Sequence, residues 1–302
     1  MTIKGAVPVL LMAFDQDGVV DDDSMRRQID FCIDAGSDAL AFGWGTESHL
    51  LTDRELEQAW TVAALHVDTR VPLIVATTHP SPTGVLALTK IAKECGADAA
   101  MVNPEPLKGE RLVRLYRNLA EEVGLPLVFQ DAKGNTSAAD LVTAVSSGFT
   151  IVGLKIESLA TPHKMGIVRD SLDSTLTDGR EVTILGGSNG ALLLEELDRG
   201  SVGTMPHPAM IDAFKHVCKL HEDGNRLESW KDYPETILPV ARLVQAAGIK
   251  GGSLWLHKYL FTLAGIFSTD YCRMETATPP GWVMDQLLKH FQNSNFVISD
   301  MI

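Results

Sequence analysis

A lysine and a glutamate stand two residues apart near the end of a short apolar run, residues 151–157. Side chains two apart on a β-strand share one face, so Lys155 and Glu157 point the same way if this run is a strand. A lysine enclosed by strand-forming neighbours loses hydration, which favours the neutral amine, and a neutral amine can attack a ketone to form a Schiff base. The alternative is a lysine whose stem crosses the apolar layer and whose ammonium reaches solvent.

Glu157 is the candidate base for chemistry on such an imine. It lies roughly 6–7 Å along the strand from Lys155, within reach of carbon 3 of a bound substrate. An apolar wall beside it would raise its pKa toward neutrality, which suits a group that removes a proton. The same two residues could instead form a plain ion pair that keeps the lysine charged.

The elements that must position these residues are short apolar runs alternating with amphipathic stretches, the pattern of an α/β barrel. One helix start is marked by a capping box between Thr52 and Glu55. The sequence predicts an α/β fold, a (β/α)8 TIM barrel over residues 1–222, with a C-terminal helical extension over 223–302 packed on it as one structural unit. A doubly wound open sheet is the competing architecture, and it favours a glycine-rich turn after the first strand, where this chain has Asp15-Gln-Asp-Gly.

The predicted strands are Val7–Phe14, Ala39–Gly43, Leu73–Thr77, Ala99–Asn103, Leu127–Gln130, Ile151–Glu157, Val182–Leu185 and Val202–Met205. The predicted barrel helices are Ser24–Ala35, Asp53–His66, Thr83–Cys95, Gly109–Val123, Ser137–Ser147, Pro162–Leu172, Ser188 or Asn189 to Asp198, and Pro208–Glu222. Three more helices are predicted in the extension, at Leu227–Ala246, Leu254–Ile266 and Gly281–Phe291.

Active sites of such barrels lie at the carboxyl ends of the strands, and polar residues gather at those ends here. Their convergence strengthens the Schiff-base interpretation of Lys155, and the turn Gly186–Gly190 before a predicted helix is a candidate anion-binding turn. Purely structural interpretations exist as well. His79 could be a histidine at a strand end whose hydrogen bonds are all made within the protein, Asp131 could cap or turn the chain, and Trp44 could fill the end of the barrel. The polar strand-end residues are Gly43–Ser48, Thr77, Thr78, His79, Asn103, Gln130, Asp131, Lys155, Glu157, Gly186–Gly190 and His207.

Composition argues against several classes of protein. The formal charge of −13 disfavours nucleic acid and anionic membranes as partners, and no apolar run approaches the ~18 residues of a membrane span. The four cysteines are scattered without a CxxC motif, as free thiols in a reducing cytosol would be. The histidines show no HExxH spacing, and the acidic residues between 15 and 23 lack the register of a calcium loop. We therefore expect a cytoplasmic protein with no metal and no cofactor.

Three motifs resemble the dihydrodipicolinate synthase / N-acetylneuraminate lyase family of Schiff-base barrels. They are Gly43-x-x-x-Glu47-Ser48, Gly153-Leu154-Lys155 and Gly186-Gly187-Ser188-Asn189, and the likeness covers nearly the whole chain. The resemblance implies that Lys155 forms an imine with the keto carbon of a small 2-oxo acid. It also implies a homo-oligomer, commonly a tetramer.

The chain departs from the family pattern at three places. The family's tyrosine on strand five, its proton shuttle, falls on Phe129, and the arginine that synthase members keep soon afterwards is absent from residues 133–136. The paired threonines of the carboxylate site are replaced by Trp44 and Gly45, which leaves Thr46 as the nearest hydroxyl. These departures argue against dihydrodipicolinate synthesis and against ordinary sialic-acid cleavage.

Other segments look like the branch of the family that dehydrates 2-keto-3-deoxy sugar acids, in particular L-2-keto-3-deoxyarabonate dehydratase. The resemblance implies a cofactor-free dehydratase in which Lys155 forms the imine, Glu157 removes a proton from carbon 3, and His79, or a water held by Gln130, assists the hydroxyl that leaves carbon 4. The segments are Asp34-Ala-Gly-Ser-Asp, Thr77-Thr-His79, Phe129-Gln130-Asp131-Ala132 and Lys155-Ile-Glu157. The predicted substrate-binding residues are Gly45, Thr46, Ser48, Phe129, Gln130, Asp131, Gly187, Ser188 and Asn189, of which Thr46 and Ser48 hold the carboxylate and Ser188 and Asn189 contact the distal hydroxyls.

Two other activities are compatible with the same residues. An aldolase would use the same imine to break the bond between carbons 3 and 4 and release pyruvate. A non-catalytic sugar-acid-binding barrel would bind the ligand without turnover, because its proton shuttle has been lost.

Overall fold

Nine short strands form the barrel wall among the described residues of the computed structural model of this chain. The structure describes residues 1–132, 134–147, 150–157, 160–177, 179–248 and 251–302, and for residues 247 and 252 it describes the backbone only. Seven of the strands form a parallel sheet in the order β2 to β8, and β1 pairs in parallel with β9. The strands are β1 Gly5–Ala6, β2 Val9–Leu10, β3 Leu40–Phe42, β4 Leu73–Ala76, β5 Ala99–Val102, β6 Leu127–Asp131, β7 Ile151–Ile156, β8 Thr183–Leu185 and β9 Gly203–Thr204.

Backbone hydrogen bonds join the two sheets. The amide of Val202, next to β9, donates to the carbonyl of Ile184 in β8 at 2.9 Å. The amide of Val9 in β2 donates to the carbonyl of Pro206 at 2.7 Å, just beyond β9. The strands therefore curl round into an α/β barrel, as the alternation of apolar runs predicts.

The first strand differs from its predicted bounds, Val7–Phe14. It begins earlier and is divided into β1 and β2 at Pro8, which has no amide hydrogen to donate to a neighbouring strand. Beyond β2, the amide of Leu11 donates to the side chain of Gln28 at 2.9 Å. Because that amide is bonded to a helix, the strand ends sooner than its apolar residues suggest.

The helices largely follow the predicted segments. The capping box is confirmed, since the Thr52 hydroxyl accepts from the amide of Glu55 at 3.3 Å and the Glu55 carboxylate accepts from the amide of Thr52 at 2.9 Å. The helices are α1 Asp22–Asp34, α2 Asp53–Val67, α3 Pro82–Glu94, α4 Gly109–Glu122, α5 Ala138–Ser146, α6 Thr161–Thr175, α7 Leu193–Leu197, α8 Ile211–Glu222, α9 Arg226–Ala247, α10 Gly252–Leu263 and α11 Gly281–Gln292.

Two predicted helix starts are wrong. Asp21, rather than Ser24, caps α1, because its carboxylate accepts from the amides of residues 23 and 24. The helix predicted from Ser188 or Asn189 begins only at Leu193. Residues 188–190 form a short 3₁₀ turn instead, in which Ser188 and Asn189 have φ of 49° and 53°, a left-handed conformation that no α-helix can contain.

Alternation along the strands separates the barrel interior from the layer between strands and helices. On β6, Val128 belongs to the inner apolar cluster, whereas Phe129 belongs to the outer one that packs against the helices. Leu154 on β7 also lies in the outer cluster. Gln130 and Lys155 are register partners on β6 and β7, and both therefore face the interior.

The C-terminal helices are attached to the barrel by buried polar contacts. The Lys258 ammonium on α10 pairs with the carboxylate of Glu47, in the loop after β3, and donates to the carbonyl of Tyr271 at 2.8 Å. The hydroxyl of Tyr233 on α9 donates to the carbonyl of Gly190 at 2.8 Å. Glu47 thus belongs to an internal anchor of the extension rather than to the polar rim expected from the sequence. The division between residues 222 and 223 stays a prediction.

Candidate active site

A cavity of about 890 Å³ lies at the carboxyl ends of the strands. Its wall is formed by loops that follow the strands and, on one side, by α9 and α10. The barrel therefore has a large cavity where its fold predicts an active site. Eight of the predicted site residues line it: Gly45, Thr46, His79, Gln130, Lys155, Glu157, Ser188 and Asn189.

Lys155 and Glu157 meet at the floor of this cavity. The Lys155 ammonium lies 3.2 Å from Oε2 of Glu157, and Lys155 is only 5% exposed. The same oxygen accepts a hydrogen bond of 3.1 Å from the side-chain amide of Gln130. Oε1 of Glu157 accepts from the backbone amide of Ser188 at 3.2 Å. Three neighbouring strands thus hold one carboxylate beside one buried amine.

The charge state of Glu157 differs from the sequence-based expectation. Burial by itself would raise the pKa of this carboxyl, but the Lys155 charge and the hydrogen bonds from Gln130 and Ser188 outweigh burial and lower the pKa below its usual 4.5. The predicted rise toward neutrality is therefore wrong. Glu157 is a carboxylate at neutral pH, ready to accept a proton.

Gly187 supports Glu157 instead of lining the cavity. A Cβ on Gly187 would lie 2.1 Å from Oε1 of Glu157, so only glycine permits this close approach. The next residue, Ser188, donates its amide to the same carboxylate. The glycine-rich turn, which the sequence suggests as an anion-binding turn, therefore binds an anion of the protein itself.

Phe129, Asp131 and Ser48, all predicted to contact substrate, lie outside the cavity lining. Phe129 stacks on Tyr116 of α4, with ring centroids 4.9 Å apart and planes 7° apart. Asp131 is fully buried and forms an ion pair of 2.5 Å with Lys164 of α6. Both face the helices because they alternate with Gln130 along β6.

The position of Phe129 changes the interpretation of the missing family tyrosine, which the resemblance places at residue 129. A side chain at 129 points away from Lys155, so a phenol there could not reach the site. The inward-facing residue at this level of β6 is Gln130, and its amide carries no titratable proton. Residue 133, at the start of the segment that lacks the arginine, lies outside the described residues.

The turn after β3 brings Gly45 and Thr46 to the cavity wall. Residues 44–46 form a 3₁₀ turn, and the Thr46 hydroxyl donates to the carbonyl of Gly43 at 3.0 Å. No heavy atom lies within 4 Å of the position that a Cβ on Gly45 would take, so this face of the turn is open. Trp44 also lines the cavity, stacked on His49 with ring centroids 5.6 Å apart.

His79 occupies an exposed position at the edge of the cavity. Its Nδ1 accepts a hydrogen bond of 3.0 Å from the amide of Ser81. Its ring covers Gly84, where a Cβ would lie 2.0 Å from the same nitrogen. Only Nε2 is therefore left to contact a ligand.

His207 and the C-terminal helices contribute residues to which the sequence assigned no role. His207 follows β9 and lines the cavity. Its Nδ1 lies 3.1 Å from Oγ of Ser253 on α10. Burial, followed by the positive charge of Lys155, lowers the pKa of His207 to about 4. His207 stands at a strand end and could have been selected with His79. Ser253 carried no such signal, because nothing in the sequence places α10 over the cavity.

Glu196 is a second buried carboxyl near the site. It lies on α7, 1% exposed, and its Oε2 has no hydrogen-bond partner in the part of the chain that the structure describes. Burial, with a smaller contribution from Glu157, raises its pKa to about 8. A Cβ on Gly186 would lie 1.8 Å from that oxygen, so the two glycines 186 and 187 each accommodate a carboxyl group.

Comparison with known proteins shows the family to which the chain belongs. The model of the dihydrodipicolinate synthetase family matches residues 2–278. The chain belongs to this family. Its members are lyases or synthases that act on small 2-oxo acids through a Schiff base, and their structures are typically oligomeric.

Relatives within the family have different activities. The chain is 25% identical over 240 residues, 76% of each chain, to L-2-keto-3-deoxyarabonate dehydratase of Azospirillum brasilense. It is 32% identical over 232 residues to 4-hydroxy-tetrahydrodipicolinate synthase of Persephonella marina, which covers 73% of this chain and 76% of the relative. These levels of identity support the Schiff-base class and leave the substrate open.

Solved structures confirm the fold. Dihydrodipicolinate synthase from Rhodopseudomonas palustris superposes with a TM-score of 0.84 at 22% identity, covering 97% of this chain and 98% of that one. A prophage protein of the dihydrodipicolinic acid synthase family from E. coli K12, in complex with pyruvate, gives a TM-score of 0.82 at 22% identity and covers 99% of both chains. The predicted TIM barrel with a C-terminal helical part is therefore the fold of this chain.

Neither a membrane span nor a metal cluster is found in the described parts of the chain. No helix there is long and apolar enough to cross a membrane. No three His, Cys, Asp or Glu side chains in those parts are grouped to hold a metal ion.

Proposed function

We propose that this protein dehydrates a small 2-keto-3-deoxy sugar acid, similar to L-2-keto-3-deoxyarabonate, through an imine on Lys155. The observation that carries the proposal is the carboxylate of Glu157, 3.2 Å from the buried Lys155 amine and held by Gln130 and Ser188. Gln130, rather than a tyrosine, faces the site from β6. A carboxylate is then the nearest group that can accept a proton beside the imine.

The reaction begins when the Lys155 ammonium gives one proton to solvent and the neutral amine attacks the keto carbon. A proton taken up from solvent then lets the keto oxygen leave as water, which forms an iminium ion at carbon 2. The iminium withdraws electrons and acidifies the hydrogens on carbon 3. Glu157 removes one of these protons and gives the enamine. The enamine then expels the hydroxyl of carbon 4, and hydrolysis of the imine releases the dehydrated keto acid and the lysine.

The residues around Lys155 supply the binding groups. We assign the substrate carboxylate to the turn with Gly45 and Thr46, which lies across the barrel from Lys155 and is open to the cavity. We assign the distal hydroxyls to Ser188 and Asn189. Oδ1 of Asn189 already accepts from the backbone amide of His207 at 3.0 Å, so the NH₂ group of Asn189 is the part left to donate to a hydroxyl.

The leaving hydroxyl needs a hydrogen-bond donor or an acid. His79 is the candidate from the sequence, and Nε2 is its available atom. A water molecule held by Gln130 is the alternative, because Oε1 of Gln130 has no partner among the described residues.

Borohydride trapping followed by peptide mapping tests the imine. Pyruvate or a 2-keto-3-deoxy sugar acid should label Lys155 and no other lysine. Labelling of Lys164 or Lys258, or of no lysine, would contradict the proposal. Mass spectrometry of the product then tests the reaction, because dehydration keeps every carbon and loses one water.

Cleavage between carbons 3 and 4 is the second candidate activity. It is favoured by the relatives that are synthases, which include the one at 32% identity. An aldolase would release pyruvate and an aldehyde, so the same mass spectrum separates the two reactions. A barrel without catalytic activity would show imine trapping and no product.

We further propose a homotetramer in the cytoplasm. The proposal follows the typical oligomeric state of the family. Light scattering coupled to gel filtration measures it directly, and a mass of 32.8 kDa would show a monomer instead.

A further inference from the structure

We infer that His207 is a catalytic hydrogen-bond donor to the hydroxyl that leaves carbon 4, and that Ser253 on α10 is the positioning residue that orients it. The inference rests on the proposed dehydration. It makes the C-terminal helices part of the active site, because without α10 the ring of His207 loses its side-chain partner.

The placement of His207 puts it on the same side of the cavity as the base. Lys155 lies on β7 and Glu157 directly follows it, Ser188 follows β8, and His207 follows β9. All four line the cavity. The backbone of His207 is held by Asn189, whose Oδ1 accepts its amide at 3.0 Å. A substrate on Lys155 therefore meets Glu157 and His207 from adjacent directions.

The ring of His207 is fixed on two sides. Its Nδ1 lies 3.1 Å from Oγ of Ser253, and its ring packs perpendicular to that of His257, with centroids 4.9 Å apart and planes 89° apart. In the part of the chain that the structure describes, both nitrogens of His257 are buried without hydrogen-bond partners, so His257 acts as a packing surface. When the Ser253 hydroxyl donates to Nδ1, the proton of the neutral ring sits on Nε2. Because His207 lines the cavity, the N–H on Nε2 is the donor that a bound ligand would meet.

The charges around His207 keep the ring neutral. Burial first, and then the positive charge of Lys155, hold its pKa at about 4, while Glu157 acts in the opposite direction. A neutral imidazole is a poor proton donor but a good hydrogen-bond donor to an oxygen that gains negative charge. His207 therefore stabilises the departing oxygen without giving up its own proton.

Glu157 alone then accounts for the proton that is removed from carbon 3 and later given to the leaving oxygen. When Glu157 removes the proton from carbon 3, the C–H electron pair forms the enamine double bond between carbons 2 and 3. In the next step a double bond forms between carbons 3 and 4, the bond from carbon 4 to oxygen breaks, and the iminium returns. The oxygen takes the proton from Glu157 and leaves as water, so Glu157 is a carboxylate again.

Comparison of the two histidines favours His207 over His79 for this role. His79 is exposed, and its ring lies over Gly84 at the start of α3. His207 is partly buried and close enough to Lys155 and Glu157 for both charges to shift its pKa. A donor acts most strongly where water is excluded, which describes His207 and not His79.

Three assays on the whole chain separate the steps. Borohydride trapping with pyruvate reports the imine. Exchange of the pyruvate methyl hydrogens in D₂O, followed by NMR, reports proton removal by Glu157, since pyruvate has no hydroxyl to lose. Release of the dehydrated product from a 2-keto-3-deoxy sugar acid reports the complete reaction.

His207→Leu should leave trapping and exchange within about 3-fold of the parent and reduce dehydration by ~10²-fold, the usual size of a lost charge-stabilising donor. Ser253→Ala should show the same pattern with a loss of ~10-fold, in kcat more than in KM. His207→Gln keeps an N–H donor and should recover part of the activity that His207→Leu loses. His216→Leu changes an exposed histidine outside the cavity lining; it is the matched control and should change dehydration by less than about 3-fold.

Two results would overturn the inference. In the first, exchange and dehydration fall together in Ser253→Ala and His207→Gln, which would show a general structural role. In the second, His79→Leu loses dehydration selectively while the His207 variants keep it. Absence of pyruvate trapping in the parent protein is a distinct result, because it removes the proposed function itself and this inference with it.

Discussion

Two buried lysine–glutamate pairs lie in the same barrel and differ in what surrounds them. Lys258 and Glu47 are fully buried, and Lys258 also donates to the carbonyl of Tyr271 and lies over the ring of Phe14 at 4.7 Å. Lys155 has one ion-pair partner, Glu157, and faces the cavity. The ammonium of Lys258 is surrounded by protein groups, whereas the amine of Lys155 can still be reached by a ligand. In the proposed mechanism, access of a ligand, rather than pairing or burial, distinguishes the Schiff-base lysine, Lys155, from the structural lysine, Lys258.

The largest expected effect comes from removing the reactive lysine. Lys155→Met should abolish borohydride trapping and reduce turnover by on the order of 10⁴-fold or more, because the covalent route is lost. Its stability should fall less than that of Lys258→Met, because Gln130 and Ser188 still donate to the Glu157 carboxylate and the carboxylate faces the cavity. Residual trapping at another lysine would show that access alone does not define the reactive group.

Removing the structural lysine, Lys258, should lower stability and leave borohydride trapping intact. Lys258→Met leaves the Glu47 carboxylate buried without its partner and should lower the free energy of unfolding by about 3–5 kcal/mol. The folded fraction should still trap pyruvate at Lys155. Urea denaturation measures the loss, and the double variant Glu47→Gln with Lys258→Met should recover part of it. A single variant as stable as the parent would refute the anchoring role.

Changing the carboxylate of the reactive pair tests the base. Glu157→Gln should reduce dehydration and C3 exchange by ~10²-fold while trapping at Lys155 persists, because the amide keeps the shape but cannot accept the proton. Glu105→Gln is the control, since Glu105 lines the same cavity without contacting Lys155. Unchanged exchange in Glu157→Gln would assign proton removal to another group.

Glu196 shows how burial changes the pKa of a carboxyl group that has no lysine partner among the described residues. Its pKa is raised from 4.5 to about 8, so the folded state keeps a proton that the unfolded state releases in this window. The stability contributed by this group is present below pH 4.5 and is lost as the pH rises toward 8. Glu196→Gln should remove that dependence. Between pH 7 and pH 8 the parent should lose about 1 kcal/mol more than the variant, measured by urea denaturation at each pH. Glu121→Gln, at an exposed position on α4, should behave as the parent does.

Several features of the site follow from local sequence. The period of two along β7 predicts that Lys155 and Glu157 share a face, and the structure places both at the cavity. Glycine and polar residues at strand ends likewise predict Gly45, Thr46, Gln130, Ser188 and Asn189 as lining residues. These inferences succeed because the face of a strand and the end of a strand are properties of a few consecutive residues.

The errors have two causes. Phe129 was expected at the site because the family tyrosine was matched to it, and Asp131 because it ends the predicted strand, but alternation turns both toward α4 and α6. The pKa of Glu157 was expected to rise, because the sequence shows its apolar neighbours and not the amide of Ser188 that bonds to it. The first error concerns which face of one strand meets the site, and the second concerns a contact between segments that are distant along the chain.

The sequence alone predicted the barrel and placed Lys155 and Glu157 on one face of a strand, because apolar periodicity and the face of a strand depend on neighbouring residues only. The tertiary structure decided which of two lysine–glutamate pairs stays open, which carboxyl lies near another, and that α10 brings Ser253 to His207. These outcomes depend on how remote helices and loops pack together. Packing of that kind sets burial, electrostatic surroundings and access, and no local pattern of residues encodes it.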